Sequence, residues 1–168
     1  MNFETFKTIL LKSNKKILLV AILILLIGIP MAIGSWFANQ NKAGLIISMI
    51  FILLGLFMFS KSIKDLKKIK NDTLPLLYAI KNKQTDYIVW IYQKEITSKV
   101  EGVKVGKSNN IVVCSKDDKY FEIVLNKRTN PEEVITYLLK SFPSAYVGFS
   151  DEIKREVTAL LKNKKTKN

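Results

Sequence analysis

The stretch GVKVGKS at residues 102–108 is the part of the sequence that comes closest to a phosphate-binding motif. The motif G-x-x-x-x-G-K-[ST] needs four residues between its glycines, but Gly102 and Gly106 are separated by three. It must also follow a strand and open a helix, because the helix N-terminus and the loop amides bind the phosphates. Ser108 is instead followed by NNIVVCS, which is typical of a strand. We therefore expect no nucleotide site here and interpret Gly106–Asn110 as a strand-to-strand turn.

The residues that other catalytic mechanisms need are also missing or have a structural explanation. The chain has no histidine, so it lacks histidine bases, histidine metal ligands and the usual serine or cysteine triads. Cys114 is the single cysteine, and we expect it to be a small buried strand residue. The acidic pairs fall in a predicted turn or in first helical turns, where the helix dipole favours them: Asp117/Asp118, Glu132/Glu133 and Asp151/Glu152. The sequence thus predicts no enzyme, no cofactor and no metal site.

Two long blocks without a charged residue, 17–37 and 43–60, divide the chain. As helices they would be about 31 Å and about 27 Å long, near the ~30 Å hydrocarbon thickness of a bilayer. We predict two transmembrane helices over these blocks, joined by an extracytoplasmic turn at 38–42. A cleaved signal peptide ending near Ala32 is the alternative, but the long apolar block and the aromatic pair Trp36-Phe37 favour a membrane span.

The lysines predict the orientation of this hairpin. Four lysines lie in the basic segment 1–16, one lies at position 42, and five lie in the predicted juxtamembrane helix 61–71. By the positive-inside rule, both termini face the cytoplasm and the protein lies in the inner (plasma) membrane. The five lysines after the second span are predicted to contact anionic lipid: Lys61, Lys64, Lys67, Lys68 and Lys70. Residues 72–161 hold 13 basic and 12 acidic residues, which argues against nucleic-acid binding.

Small residues predict where the two spans pack together. Antiparallel spans joined by this turn should match in depth where their residue numbers sum to about 80. Gly28/Ala32 on the first span and Gly44/Ser48 on the second have small-xxx-small spacing, which allows close helix contact. Neither span contains an ionisable residue, so we expect anchoring, with a pathway built by oligomerisation left open.

The remaining residues predict a small α+β domain at 72–161, followed by a basic tail at 162–168. Its predicted order is a helix, three to four antiparallel strands, a helix, a short strand and a last helix. Asp72 or Thr73 is expected to cap the first helix, and YIVWIYQKEI is typical of a strand covered on both faces. The other predicted strands are Val100–Val105, Asn110–Ser115, Tyr120–Leu125 and Ala145–Phe149. Asn130 and Ser150 are expected to cap the last two helices.

Two classes of function fit these features. In the first, the domain is a non-catalytic interaction or regulatory module that binds a protein partner at the inner membrane. Trp90 and Tyr92 are the candidate partner contacts; the other interpretation is that these aromatic side chains belong to the core. In the second, the hairpin itself acts, as in small immunity-type proteins that neutralise a membrane-acting toxin.

Overall fold

The computed structural model describes residues 1–37, 42–100, 103–126 and 128–165. For residues 96–100, 103–108 and 162–165 it describes only the backbone. The predicted turn at 38–42 lies almost entirely outside the described residues, as do positions 166–168 of the predicted tail. The chain divides into two compact units, Leu11–Asn71 and a second that joins Met1–Leu10 to Asp72–Asn168. The elements are α1 (Phe3–Phe37), α2 (Lys42–Lys70), α3 (Pro75–Lys81), β1 (Ile88–Val100), β2 (Val103–Ser115), β3 (Tyr120–Val124), α4 (Pro131–Ser141), β4 (Tyr146–Val147) and α5 (Asp151–Lys165).

The unit Leu11–Asn71 is built from α1 and α2, both of which are long and apolar enough to cross a membrane. Only 11% of the most apolar window of each helix is buried. The core helix of a soluble protein would be largely buried, so these helices present their apolar side chains outward. α1 continues through Pro30, and α2 runs without a break through the predicted juxtamembrane segment to Lys70.

The two helices pack along a stripe of small and polar residues that repeats every seven positions. On α2 the buried residues are Ser48, Gly55, Ser62 and Ile69. On α1 the buried positions include Asn14, Ala21 and Gly28. A seven-residue repeat is the spacing of left-handed, coiled-coil-like helix packing. The fully buried positions of the seam therefore recur at seven-residue spacing.

Close contacts at two glycines define the register of this seam. A Cβ atom on Gly28 would lie 3.1 Å from the Cβ of Phe51 and 3.3 Å from the amide nitrogen of Ile52. A Cβ atom on Gly55 would lie 2.8 Å from Leu25. The numbers of these pairs sum to 79 or 80, close to the expected depth match. Among the four packing residues named from the sequence, Gly28 and Ser48 are buried, whereas Ala32 and Gly44 are half-buried.

The second unit contains a four-stranded mixed sheet with the order β3-β2-β1-β4. β1 and β2 are antiparallel, as are β2 and β3, but β4 pairs parallel to β1. The prediction of antiparallel strands therefore holds for β1–β3. The predicted turn at Gly106–Asn110 is wrong, because these residues lie inside β2 and pair with Ser98–Lys94 of β1. The two strands predicted on either side of that turn are one strand, Val103–Ser115.

A helix covers each face of this sheet. Trp90 pairs with Cys114, and α5 packs on that face through Val157 and Leu161. The next pair in the register, Ile91 and Val113, projects to the opposite face because side chains alternate along a strand. That face is packed by α4, whose Val134 and Leu138 are fully buried.

Capping residues explain where α4 and α5 begin. The Asn130 Oδ1 accepts a hydrogen bond from the Glu132 amide at 3.0 Å, and Pro131 occupies the first turn. The Ser150 Oγ accepts one from the Ile153 amide at 3.1 Å. Both caps agree with the sequence prediction. The predicted cap of α3 is wrong, because the cap position is Leu74, which makes no side-chain hydrogen bond. Asp72 instead forms ion pairs with Lys7 and Lys81.

Candidate interaction surfaces

Trp90 lies in the core of the α+β domain rather than on a free surface. Its side chain is 3% exposed and packs with Cys114, Val157 and Leu161. The indole nitrogen donates a hydrogen bond to the Gly148 carbonyl at 2.7 Å, which satisfies its one polar group. Of the two interpretations that the sequence left open for Trp90, the structure supports the core residue. A partner could not touch this side chain without first displacing its neighbours.

Two aromatic rings lie over the buried indole and extend to the surface. Tyr92 is half-buried, and its ring centroid lies 4.5 Å from that of Trp90. Phe149 stacks on Trp90 at 5.7 Å and contacts Tyr92 at 5.3 Å, yet 58% of its surface is exposed. Gly148 precedes Phe149 with φ +88°, a conformation that L side chains rarely adopt, and its amide bonds the Ile91 carbonyl. This glycine therefore shapes the turn from β4 that carries Phe149 to the indole.

Tyr120 adds a third aromatic side chain to the same face of the sheet. It is the cross-strand neighbour of Cys114 and is 56% exposed. Burial of its hydroxyl group, together with a hydrogen bond to the Cys114 thiol, raises the pKa of Tyr120 to about 12. Much of the Tyr120 side chain nevertheless faces solvent. We call Tyr92, Tyr120 and Phe149 the aromatic patch.

Burial keeps the phenols of the aromatic patch and the thiol beside them in their neutral forms. Burial raises the pKa of the Cys114 thiol, so it stays protonated and is a poor nucleophile. Burial, followed by the charge of Glu122, also raises the pKa of Tyr92. Glu122 itself accepts a hydrogen bond from the Asn110 side chain at 2.7 Å. The patch therefore offers neutral phenol and phenyl rings at physiological pH.

The segments considered for other chemistry occupy structural positions. Gly106, Lys107 and Ser108 lie within β2, so they do not form a loop that opens a helix; Gly102 lies outside the described residues. No group of three or more potential metal-ligating side chains occurs in the part of the chain that the structure describes. The five lysines predicted to contact lipid are all exposed near the end of α2: Lys61, Lys64, Lys67, Lys68 and Lys70.

The Met1–Leu10 segment forms a contact with the α+β domain that the sequence does not predict. Phe6 is fully buried, and its ring centroid lies 5.2 Å from that of Tyr137 on α4. Lys7 forms an ion pair with Asp72, which also pairs with Lys81 at 3.0 Å. The signal was present in the sequence, because Phe3, Phe6 and Leu10 recur with helical spacing inside a segment interpreted only as basic.

The fold and these surfaces define an α+β domain joined to two long apolar helices, with an aromatic patch on the domain. A family model described as "Domain of unknown function (DUF6709)" matches residues 78–157. The match begins within α3 and ends within α5, so it contains the whole sheet and the aromatic patch but neither long helix. No curated protein and no solved structure matches the chain significantly.

Proposed function

We propose that this protein is a non-catalytic interaction module anchored in the inner membrane, and that its α+β domain binds a protein partner through the aromatic patch. The observation that carries this proposal is the exposure of Phe149 and Tyr120, at 58% and 56%, on the sheet face that buries Trp90. Aromatic side chains supply much of the binding energy in protein interfaces, because they bury a large area with few rotatable bonds. Trp90 supports the patch from below and does not itself contact the partner.

The membrane part of the proposal rests on the two long apolar helices and on the lysine distribution. Their outward apolar side chains fit a lipid environment, and four, one and five lysines flank the helices in chain order. Both termini and the α+β domain are then cytosolic, and residues 38–42 face the other side of the membrane. The exposed lysines near the end of α2 contact anionic headgroups, at about 1 kcal/mol each.

A site-specific cross-linking experiment tests the partner surface. A photoreactive phenylalanine analogue replaces Phe149 in the full-length chain, expressed in its native membrane. The control places the same analogue at Tyr78, which is 52% exposed but lies on α3, away from the aromatic patch. A protein adduct that forms from position 149, and not from position 78, supports the proposal. Adducts of equal yield at both positions, or at neither, contradict it.

Two further measurements test the other parts of the proposal. Nucleotide or phosphoester turnover by the purified protein that is lost in Lys107→Gln would contradict the non-catalytic assignment. For lipid contact, the five lysines of α2 are replaced by glutamine in the full-length chain, and retained anionic lipid is measured by native mass spectrometry. The matched control removes five exposed lysines from the domain instead: Lys83, Lys94, Lys119, Lys140 and Lys154. Equal lipid loss in both variants would refute contact through α2.

A further inference from the structure

The Met1–Leu10 segment packs on the α+β domain as the amphipathic first part of α1 (Phe3–Phe37). Its buried residues are Phe6 and Leu10, and Phe3 and Lys7 are half-buried on the same side. These positions follow the i, i+3, i+4, i+7 spacing of one helical face. Glu4, Thr5 and Thr8, on the opposite side, are exposed. A helix with one buried face and one solvated face is docked on the domain and does not pass through its centre.

An ionic cluster, which we call the charge clamp, holds this helix beside its aromatic contact. It consists of Lys7, Asp72 and Lys81, with Asp72 bonded to both lysines. Hydrogen bonds from Lys7 and then Lys81 lower the pKa of Asp72, so the carboxylate stays charged at neutral pH. Asp72 has φ +55°, a conformation that favours Gly, Asn and Asp over other residues. Its backbone is therefore suited to present the carboxylate here.

The contacts of this segment are separate from the contacts that build the sheet. Phe6 meets Tyr137 on α4, whereas the buried sheet residues of that face pack against Val134 and Leu138. The docked face is held by the burial of Phe6 and Leu10 and by the ion-pair cluster, and this segment takes no part in the described strand pairing. Segments outside the paired strands open at a lower free energy than core strands.

We propose that Met1–Leu10 is a releasable intramolecular ligand of the α+β domain, and that the surface beneath it is a helix-binding site formed by Tyr137 of α4 and by Asp72. The helix that fits this site carries an aromatic residue followed directly by a lysine, as Phe6-Lys7 does. Tyr137 receives the aromatic ring, and Asp72 receives the ammonium group. While the segment is docked, it blocks any other helix of the same chemistry. This inference uses a different surface from the aromatic patch and does not depend on the proposed function.

Charge reversal at Lys7 tests whether the segment can be released. The full-length chain is reconstituted in lipid nanodiscs as wild type, Lys7→Glu and Lys12→Glu. Lys12 is exposed on the same helix, so its reversal changes the net charge equally without touching the clamp. The probe is a fluorescein-labelled peptide with the sequence of residues 1–12. We expect it to bind Lys7→Glu at least tenfold more tightly than the other two chains, and we expect a Phe6→Ala peptide not to bind.

Hydrogen exchange on the same samples distinguishes release from unfolding, and Lys7→Gln serves as a milder variant if Lys7→Glu does not fold. We expect faster exchange in residues 3–10 and around Tyr137, with unchanged protection of the β2–β3 pairs between 110–114 and 120–124. Faster exchange throughout the sheet would show that the segment belongs to the cooperative core and would overturn the proposal. Equal peptide binding by the three chains, or no binding to the released variant, would overturn it as well.

Discussion

Three helical glycines provide a matched test of the seam between α1 and α2. Alanine at Gly28 would meet the Cβ of Phe51 and the backbone of Ile52 at 3.1–3.3 Å. Alanine at Gly55 would meet Leu25 at 2.8 Å. Alanine at Gly34 would meet no atom of the described residues within 4 Å. The same one-methyl change therefore enters two crowded sites and one open site within one pair of helices.

The expected magnitudes follow from two opposing effects. Replacing glycine by alanine inside a helix contributes about 0.5–1 kcal/mol, through lower backbone entropy in the unfolded chain. Overpacking a close contact costs about 1–3 kcal/mol. At Gly28 the nearest atoms belong to backbone or lie next to it, so the helices must separate. At Gly55 the Leu25 side chain must move, including its Cγ. We expect both variants to be about 1–3 kcal/mol less stable than Gly34→Ala, which gains only the first effect.

Unfolding of the helical pair in mixed micelles with increasing SDS measures these differences. Gly34→Ala should unfold at the wild-type SDS fraction or slightly above it, and Gly28→Ala and Gly55→Ala should unfold earlier. Ala32→Leu and Gly44→Leu extend the series, since both positions are half-buried and should cost less than Gly28→Leu. Equal effects at the three glycines, or stabilisation by Gly28→Ala, would refute the seven-residue seam.

Three further predictions concern other parts of the chain. A cysteine replacing Gln40 should react with an impermeant maleimide in intact cells, whereas the fully buried Cys114 should not; the reverse result would contradict the proposed topology. Trp90→Ala should cost the domain about 3–5 kcal/mol in chemical denaturation, and Phe149→Ala about 1 kcal/mol; similar costs would mean that the exposed ring is part of the core. Because folding raises the pKa of Tyr120 to about 12 from its ordinary value of 10.0, its contribution to stability is complete below pH 10.0 and is lost as the pH rises towards 12. Tyr120→Phe should reduce that alkaline loss, and an unchanged pH profile would contradict the assignment.

Patterns of local physical chemistry made much of this fold predictable. The uncharged blocks predicted the apolar part of α1 and α2, and the caps at Asn130 and Ser150 predicted the starts of α4 and α5. The sequence predicts a turn in the middle of β2 because Gly106 followed by Lys-Ser-Asn-Asn has the composition of a turn. Pairing with β1 keeps these residues extended. The local composition does not show this pairing, because it depends on the partner strand.

Long-range contacts account for the parts of the site that the sequence did not reveal. Phe6 and Tyr137 are 131 positions apart, and nothing near either residue indicates the other. The sequence places Phe149 only at the end of a short predicted strand, because its stacking on Trp90 depends on the parallel pairing of β4 with β1. The sequence does not decide whether Trp90 is a core residue or a partner contact, because an aromatic residue on a strand gives the same pattern whether or not a helix covers it.

The structure also changes how the alternative function, a toxin-neutralising hairpin, has to be tested. Gly28 and Ser48 are the obvious small residues to replace, but both are buried, and a Cβ on Gly28 would meet the other helix. Loss of activity at these positions would therefore report a disrupted helix pair rather than a lost contact with a toxin. The positions that a toxin could touch are on the outer faces, for example Leu26 and Leu53, which are 62% and 65% exposed. Polar substitution there would also disturb insertion, so an apolar change of shape, such as Leu26→Ala or Leu53→Ala, is the sharper probe. If these variants lose activity while Phe149→Ala retains it, the hairpin carries the function; the opposite result assigns it to the domain.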